Sequence, residues 1–427
     1  MNAETFAICQ SDMLIKGRDP ANIKFGSTFS RDQFRDMEFD FMLANPPYGK
    51  SWKTDQDALF EGNKKYISDR RFSAPDPSGE SRQPLALIPR VSDGQLLFQV
   101  NLLSKMKRET KLGSRIAIVH NGSALFTGDA GQGESNIRQW IIENDWLEAI
   151  IGLPLDMFYN TGIATYIWVL SNRKPARRRG KVQLIDATRH YSKLRKNLGK
   201  KNCELSTADM RAITDLFLTF EETAESKIFD NAAFGYRKIT LERPLRLRTQ
   251  MTLERMASFR ATAEPRLVEM ASRLYAILGD APHHDWNEVR RLLEVDAKAQ
   301  FYPIRKTDLK PLRDVFTERD EAAAPVVESV TRSGVTYEPD PELRDTENVP
   351  LKERIEDYVA REVLPYVPDA WINAEKTVKG YEISFTRYFY QYQPLRSLEE
   401  ITADILTLEK ETEGLLHSIV ADGGVGQ

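Results

Sequence analysis

The chain has 427 residues, of which 41% are hydrophobic and 29% charged, a balance typical of a folded protein rather than a disordered one. Its 60 basic and 63 acidic residues argue against a strongly basic, free-standing nucleic-acid binder, but not against contact with DNA through one local patch or a partner chain. There is no apolar run of membrane-helix length and no secretory pattern at the N-terminus, and the two cysteines suit neither a disulfide framework nor a metal site, so we expect a cytoplasmic protein.

The first half of the chain alternates predicted helices and strands. In chain order, the pattern predicts a helix over 5–15, a strand over 39–44, a long polar segment over 51–93, a helix over about 94–108, a strand over 115–120, a helix over about 135–144, and strands over 147–151, 164–170 and 181–185. This alternation predicts an α/β fold with a mostly parallel sheet. The last two strands, joined by a short basic turn, are expected to pair as an antiparallel edge.

The second half has a different character. Long helical patterns dominate from about residue 250, while residues 318–350 are acidic, contain proline and are weakly periodic, so we predict a linker or exposed arm there. Near the C-terminus, apolar residues recur at steps of three and four, a spacing suited either to a partner helix or to ordinary packing within the same domain. This predicted seam consists of Leu398, Ile401, Ile405, Leu408 and Leu415, and is broken by Thr412.

The sequence Asn45-Pro46-Pro47-Tyr48 follows the first predicted strand directly, and the double proline must end that strand. It suits a particular chemistry, because the exocyclic amine of adenine has its lone pair delocalised into the ring. The Asn45 side-chain oxygen and the Pro46 carbonyl, held by a rigid turn, can accept hydrogen bonds from both amino hydrogens and localise that pair. Tyr48 can stack on a base swung out of the duplex. These four residues are therefore candidate catalytic residues, the alternative being a turn with a packing tyrosine.

Two other segments call for interpretation. The run 173–181 holds six basic residues in nine positions, and it suits either phosphate contacts or a solvated hairpin turn. The glycines of Gly128-Asp-Ala-Gly131-Gln-Gly133 precede a helix, but a lone glycine-rich match is weak and no acidic residue is placed for a ribose. We do not expect a cofactor at that second segment.

Taken together, these motifs resemble the modification (methyltransferase) subunit of type I restriction–modification systems, among the N6-adenine DNA methylases. The resemblance runs through residues 2–9, 12–17, 39–49, 137–145, 150–154, 158–163, 167–170, 236–240, 242–245 and 380–390. It implies an α/β fold: an incomplete Rossmann-like methyltransferase sheet followed by a mainly helical C-terminal region. Residues 1–245 would be the C-terminal part of an S-adenosylmethionine-dependent catalytic domain, and 246–427 a region for subunit assembly.

The resemblance also implies roles for single residues and for partners. Phe158 matches the aromatic residue that flanks the flipped base opposite Tyr48, and Ser27 matches the region beside the cofactor adenine, where the family often has Asp or Asn. The implied partners are DNA, a specificity subunit and a restriction subunit. In the family, the main S-adenosylmethionine motifs lie upstream of the segment matched by Asn2, so we expect this chain alone to bind that cofactor weakly or not at all.

Two alternatives share the same motif. One is an amino-methyltransferase acting on cytosine N4, since Asn-Pro-Pro-Tyr suits that amine as well. The other is a truncated, catalytically incompetent subunit that acts as a binding or assembly piece. The methylated sequence is not readable here, because the resemblance places sequence recognition in the specificity subunit.

Overall fold

The computed structural model describes residues 2–61, 66–79, 83–159, 161–300, 304–332, 334–390 and 397–422. The chain divides into two compact units, Met1–Ile383 and Ser384–Gln427. The helices of the described residues are α1 Ala3–Ile15, α2 Gln56–Leu59, α3 Gln95–Ser104, α4 Ser123–Phe126, α5 Gly133–Glu143, α6 Thr207–Thr219, α7 Leu253–Thr262, α8 Pro265–Leu278, α9 Trp286–Ala299, α10 Lys306–Phe316, α11 Ile355–Glu362, α12 Phe385–Phe389 and α13 Leu398–Asp422. The strands are β1 Phe41–Ala44, β2 Phe60–Glu61, β3 Tyr66–Ile67, β4 Ser73–Ala74, β5 Leu85–Ala86, β6 Arg115–Asn121, β7 Leu147–Gly152, β8 Thr165–Ser171, β9 Lys181–Asp186, β10 Ser192–Leu198, β11 Lys201–Glu204, β12 Ser226–Asp230, β13 Gly235–Glu242, β14 Leu247–Thr249, β15 Thr317–Arg319, β16 Val327–Thr331, β17 Gly334–Tyr337, β18 Asp345–Pro350 and β19 Trp371–Tyr381.

A six-stranded sheet in the order β1-β6-β8-β7-β9-β12 forms the centre of the first unit. β1 pairs in parallel with β6 and β7 pairs in parallel with β9, whereas β8 runs antiparallel to both β6 and β7. The strands β1, β6, β7 and β9 therefore point the same way. Their carboxyl ends lie along one side of the sheet, which we call the carboxyl edge, and the opposite side is the amino edge.

This architecture confirms the predicted α/β fold class, but the pairing of β8 and β9 as an antiparallel edge is wrong. β8 lies inside the sheet, between β6 and β7, and its Trp168 and Leu170 are fully buried. The connection of residues 172–180 is long enough to pass across β7. Strands that follow each other in sequence therefore lie on either side of a third strand, and the sheet is mixed rather than mostly parallel.

The rest of the first unit contains a second sheet and a helical core. β13 is the central strand of a three-stranded antiparallel sheet, between β18 and β19, and α11 packs on it. Helices α7 to α10 enclose an apolar core that includes Phe259, Leu274, Trp286 and Phe316. This confirms the mainly helical C-terminal region. None of the helices in the described ranges combines the length and the apolar character needed to cross a bilayer.

The segment 318–350, predicted as a linker or exposed arm, is built largely of strands. β16 and β17 form a hairpin that is exposed along most of its length, whereas β18 pairs with β13 in the second sheet. The domain division at residue 245 stays a prediction, and β13 on one side of it pairs with β18 and β19 on the other.

The second unit contains the long C-terminal helix α13. The described side chains of the predicted seam are exposed, from 39% for Ile401 to 82% for Leu398. The side chain of Leu415 lies outside the described residues. The described side chains of the seam are therefore not buried within the second unit.

A buried arginine joins the two sheets of the first unit. Arg138, on α5, is fully buried, and its guanidinium donates Nε to the Tyr381 carbonyl at 2.5 Å. Its other nitrogens donate to the carbonyls of Ala124 at 3.0 Å and Thr127 at 2.8 Å. Burial lowers the pKa of Arg138 to about 10, so the side chain stays charged at neutral pH. Carbonyl dipoles from three segments thus solvate one buried cation.

Replacing Arg138 with methionine should lower the free energy of unfolding by at least about 3 kcal/mol, because each buried carbonyl left without a donor costs roughly 1–3 kcal/mol. Urea unfolding of the full chain measures this loss. The control is Arg291→Met, whose side chain is 65% exposed, and it should change stability by less than about 0.5 kcal/mol. Equal losses in the two variants would contradict a structural role for the buried guanidinium.

Candidate functional site

Residues 45–50, which we call the acceptor loop, leave the sheet at the carboxyl end of β1. Asn45 and Pro47 are exposed, Pro46 is buried and Tyr48 is half-buried. Burial raises the pKa of Tyr48, so its ring stays a neutral phenol at neutral pH. The loop therefore presents one amide side chain to solvent, with a partly sheltered aromatic ring close by in sequence.

Backbone hydrogen bonds hold the acceptor loop against residues 90–94. Gly49 has a φ of +66°, a conformation that side chains rarely adopt, and its N–H donates to Asp93 Oδ1 at 3.0 Å. The Gly94 N–H donates to the Lys50 carbonyl at 3.0 Å. The indole N–H of Trp52, which is almost fully buried, donates to the backbone carbonyl of Arg90 at 3.0 Å. These bonds fix the far end of the loop, as the sheet fixes its start.

The side chain of Gln95 connects this anchor to the end of β6. Its Nε2 donates to Asp93 Oδ2 at 2.6 Å and to Asn121 Oδ1 at 2.7 Å, while its Oε1 accepts from the Asn121 N–H at 3.1 Å. The Ser123 hydroxyl lies 2.6 Å from Asn121 Oδ1 and 3.1 Å from Asp93 Oδ2. Asp93 and Gln95 are both buried. A buried polar network whose members are bonded to one another is rigid, so it holds the acceptor loop in one conformation.

His120 completes this network below the sheet edge. It is fully buried, its Nδ1 lies 3.2 Å from Gln95 Oε1, and its Nε2 lies 2.6 Å from Gln99 Oε1. Burial lowers its pKa to about 3, so the ring is neutral and donates through one nitrogen only. Because the Asn121 N–H fixes the Gln95 oxygen, Nδ1 carries the proton. His120 Nε2 is then an acceptor. With the oxygen and nitrogen of the Gln99 amide exchanged by a half-turn, the amide nitrogen, which otherwise has no partner, donates to His120 Nε2.

Phe158 lies in the loop that leaves the carboxyl end of β7. It is half-buried and packs against an apolar cluster that includes Leu153, Ile185 and Ile213. The structure therefore brings Phe158 to the same sheet edge as the acceptor loop, three strand spacings away, or about 14 Å. Its packing already accounts for an aromatic residue at this position, so a stacking role stays a prediction.

Ser27 lies in the segment that precedes β1. Ser27 lines a cleft of about 230 Å³ beside Phe39 and Lys105. Phe39 precedes β1 and Asn45 follows it, and six residues of extended chain span about 20 Å. The acidic group of this cleft, Asp32, is already bonded to Lys105 Nζ at 2.7 Å and to Arg71 Nη1 at 3.3 Å.

The basic run 173–181 lies at the amino edge, between β8 and β9, and much of it makes internal contacts. Lys174 is buried and its Nζ lies 2.6 Å from Asp145. The buried guanidinium of Arg178 lies over the Phe217 ring, 4.1 Å from its centroid, and Arg177 donates to carbonyls at the end of α6. Cations at a helix carboxyl terminus oppose the negative end of its dipole. These contacts favour a structural role for the run over phosphate binding.

The glycine-rich segment 128–133 also has a packing role. A Cβ on Gly131 would lie 2.7 Å from Val378 Cγ1, and one on Gly133 would lie 1.7 Å from the Ile88 carbonyl oxygen. In the same loop, Asp129 pairs with Lys238 of β13 at 2.5 Å. Gly131 thus lets the loop approach β19 of the second sheet, and Gly133 lets it approach the backbone at Ile88.

Sequence reasoning missed the residues that hold the acceptor loop: Asp93, Gln95, Asn121 and Ser123. One signal was present, since Gln95 and Gln99 stand four residues apart in a mostly apolar helix. Polar side chains at that spacing share one helix face and need buried partners. The partners themselves are distant in sequence, and only the folded chain identifies them.

The N-6 DNA Methylase family matches residues 1–234. The methylase subunit of the type I restriction enzyme MjaIX from Methanocaldococcus jannaschii is 25% identical over 230 residues, which are 54% of this chain and 37% of that protein. The methylase subunit of the type I restriction enzyme HindI from Haemophilus influenzae is 28% identical over 188 residues, or 44% of this chain and 36% of that protein.

Among solved structures, the methyltransferase subunit of a type I restriction–modification system from Streptococcus thermophilus is similar over 55% of this chain and 44% of that chain. Its sequence identity is 22% and its TM-score is 0.43. The chain thus spans less than two-fifths of the length of the two curated relatives described above.

Acid should destabilise the fold through His120. The folded pKa of about 3 lies below the ordinary value of 6.5, so the unfolded chain binds the extra proton. Stability is therefore fully present above pH 6.5 and falls by up to about 1.4 kcal/mol per pH unit as the pH drops towards 3. In His120→Gln, the slope of unfolding free energy against pH between about 5 and 6.5 should be smaller. The difference corresponds to the uptake of most of one proton on unfolding.

Urea unfolding at several pH values measures that slope. Asn22→Ala, which replaces an exposed side chain that does not titrate, is the control and should keep the wild-type slope. A His120→Gln slope equal to that of wild type would show that the buried ring does not titrate on unfolding.

Proposed function

Because the chain belongs to the N-6 DNA Methylase family, we propose that it carries the base-binding part of a DNA adenine-N6 methyltransferase, within the modification subunit of a type I restriction–modification system. The observation that carries this proposal is the acceptor loop, with Asn45 exposed at the carboxyl end of β1 and the loop held by Asp93 and Gln95. Open α/β sheets bind their ligands outside the carboxyl ends of the strands.

The residues of the acceptor loop have different roles towards a flipped adenine. The Asn45 side-chain oxygen and the Pro46 carbonyl accept the two amino hydrogens, which localises the nitrogen lone pair towards the incoming methyl group. The neutral, half-buried ring of Tyr48 stacks on the base. The bond from the Gly49 N–H to Asp93 keeps the two acceptors at a fixed separation, so they need not reorganise during the reaction.

S-adenosylmethionine is the proposed methyl donor, as is general for methyltransferases of this kind. Ser27 lines the cleft beside Phe39, which precedes β1. The Asp32 carboxylate there is bonded to Lys105 and Arg71 and is not free to accept from a ribose. The proposal therefore rests on the acceptor loop, and a contact from Ser27 remains an expectation.

The exposed seam of α13 is the proposed contact for a partner chain. Leu398, Ile401, Ile405 and Leu408 lie on one side of this helix and are exposed within the second unit. The curated relatives are named as methylase subunits of type I restriction enzymes. We therefore propose that this seam docks on the specificity subunit, in a complex that also includes DNA and a restriction subunit.

Asn45→Ala should reduce methyl transfer at least about 100-fold, because a lost hydrogen bond to the reacting group typically costs 10²–10³ in rate. The chain is expressed, with its partner chains, in a host whose DNA lacks N6-methyladenine, and the modified nucleosides are counted by mass spectrometry. Asn22→Ala, at another exposed asparagine, is the matched control and should retain activity.

The same measurement separates the alternatives. N6-methyladenine in wild-type cells supports the proposal, whereas N4-methylcytosine would make this a cytosine enzyme. The absence of both products, with the complex intact, would leave the chain as a binding or assembly piece.

Replacing Leu398 and Ile405 with serine should abolish co-purification with the specificity subunit, as should deletion of residues 395–427, because both remove the apolar seam. Ala403→Ser with Thr407→Ser alters the opposite face of α13 and should leave co-purification unchanged. Retention of the partner by the seam variant would contradict this docking surface.

A further inference from the structure

The hairpin formed by β10 and β11 concentrates positive charge in a chain whose net charge is −3. There is no acidic residue between 187 and 203. The basic residues of this stretch are Arg189, Lys193, Arg195, Lys196, Lys200 and Lys201. All but the half-buried Lys201 are exposed, and β10 is exposed along nearly its whole length. This stretch is therefore a local basic surface on a nearly neutral protein.

The cations on the two strands of the hairpin are not neutralised by any carboxylate among the residues that the structure describes. From Lys193 to Lys201, no basic side chain of the hairpin makes an ion pair or hydrogen bond with any residue that the structure describes. Elsewhere, exposed cations such as Arg319 and Arg361 lie against carboxylates. Like charges on adjacent strands repel each other, and a phosphate backbone bound across them would relieve that repulsion.

The hairpin also lies at a specific place. It follows the carboxyl end of β9 and so emerges at the same edge as the acceptor loop. Its second strand is fixed to the loop after β7, since the Asn202 N–H donates to the Asp156 carbonyl at 3.0 Å and Cys203 Sγ donates to the Leu155 carbonyl at 3.1 Å. That loop also carries Phe158. The hairpin is thus held in place beside the proposed base site.

The separation between β1, which leads into the acceptor loop, and β9, which leads into the hairpin, suits one continuous ligand. β9 is four strand spacings from β1, or about 19 Å, and phosphates along one DNA strand repeat every 3.4 Å. A duplex with a base extruded at the acceptor loop would therefore pass the hairpin about five to six base pairs away. By contrast, the basic run 173–181 lies at the amino edge, facing away from that path.

From this placement and charge, and resting on the proposed function, we infer that the β10–β11 hairpin contacts the phosphate backbone of duplex DNA bound at the carboxyl edge. Contacts from these lysine and arginine side chains to phosphate oxygens do not depend on the identity of the bases. The contact therefore contributes affinity and orientation rather than sequence recognition.

The test is the salt dependence of DNA binding by the full chain. Binding of a 30-base-pair fluorescent duplex is measured by anisotropy at about 50 to 200 mM salt, where each phosphate contact contributes about 0.9 to the slope of log affinity against log salt. The triple variant Arg195→Gln, Lys196→Gln and Lys200→Gln should lower the slope by up to about 2.7 and weaken binding at least tenfold at about 0.1 M salt.

The matched control removes the same charge at the amino edge, with Lys111→Gln, Arg179→Gln and Lys181→Gln, and should keep the wild-type slope. An unchanged urea midpoint confirms that both variants are folded. A hairpin variant with the wild-type slope, equal losses in the two triple variants, or no wild-type binding at about 50 mM salt would overturn the inference.

Asn45→Ala separates this inference from the proposed function, because it should retain the wild-type slope while losing methyl transfer. Asn45-dependent methylation with a hairpin-independent slope would reject the hairpin contact alone. A hairpin-dependent slope without any methylated product would reject the proposed activity and leave the DNA contact standing.

Discussion

The shape of the acceptor loop depends on one buried carboxylate. Asp93 accepts from the Gly49 N–H on one side and from the Gln95 amide on the other, and Gln95 in turn binds the end of β6 through Asn121. A buried carboxylate is costly unless donors surround it, so this set of bonds tolerates little rearrangement. Rigidity at this point matters for the proposed chemistry, since two hydrogen-bond acceptors assist an amine only when their positions are fixed beforehand.

The direction of the strands distributes function between the two edges of the main sheet. β1, β7 and β9 all end at the carboxyl edge, which brings together the acceptor loop, the loop of Phe158 and the basic hairpin. At the amino edge, basic side chains serve the fold, as with Arg178 stacked on Phe217. Although the net charge is close to zero, the basic side chains differ in role between the two edges. A phosphate backbone interacts with the local charge rather than with the net charge.

The two sheets of the first unit are joined through charge as well as apolar packing. Arg138 donates to the carbonyls of Ala124 in α4, of Thr127 just after α4, and of Tyr381 in β19. In addition, Lys238 of β13 pairs with Asp129 in the loop between α4 and α5. The glycines of that loop permit the close approach. The glycine-rich loop 128–133 is therefore part of an internal interface. Its glycines permit close contact with Val378 and with the backbone at Ile88.

Several features of this protein were determined by its sequence alone. The periodicity of apolar residues and the position of the double proline placed β1, β6, β7, β8 and β9, together with α3 and α5, to within a few residues, because these patterns reflect local geometry and burial. The short helices α2 and α4 were not predicted. The chemistry suggested for Asn45 and Tyr48 was likewise readable from residue type and spacing.

The tertiary structure decided what local pattern could not. It placed β8 between β6 and β7. The sequence could not determine this order, because the long connection from β8 to β9 is compatible with more than one arrangement of strands. The tertiary structure identified Asp93 and Gln95 as the support of the acceptor loop, because these contacts join segments that are distant in the sequence. It also distinguished the basic run of the amino edge from the basic hairpin of the carboxyl edge, since charge composition is one-dimensional whereas the side of the sheet on which a charge lies is fixed only by folding.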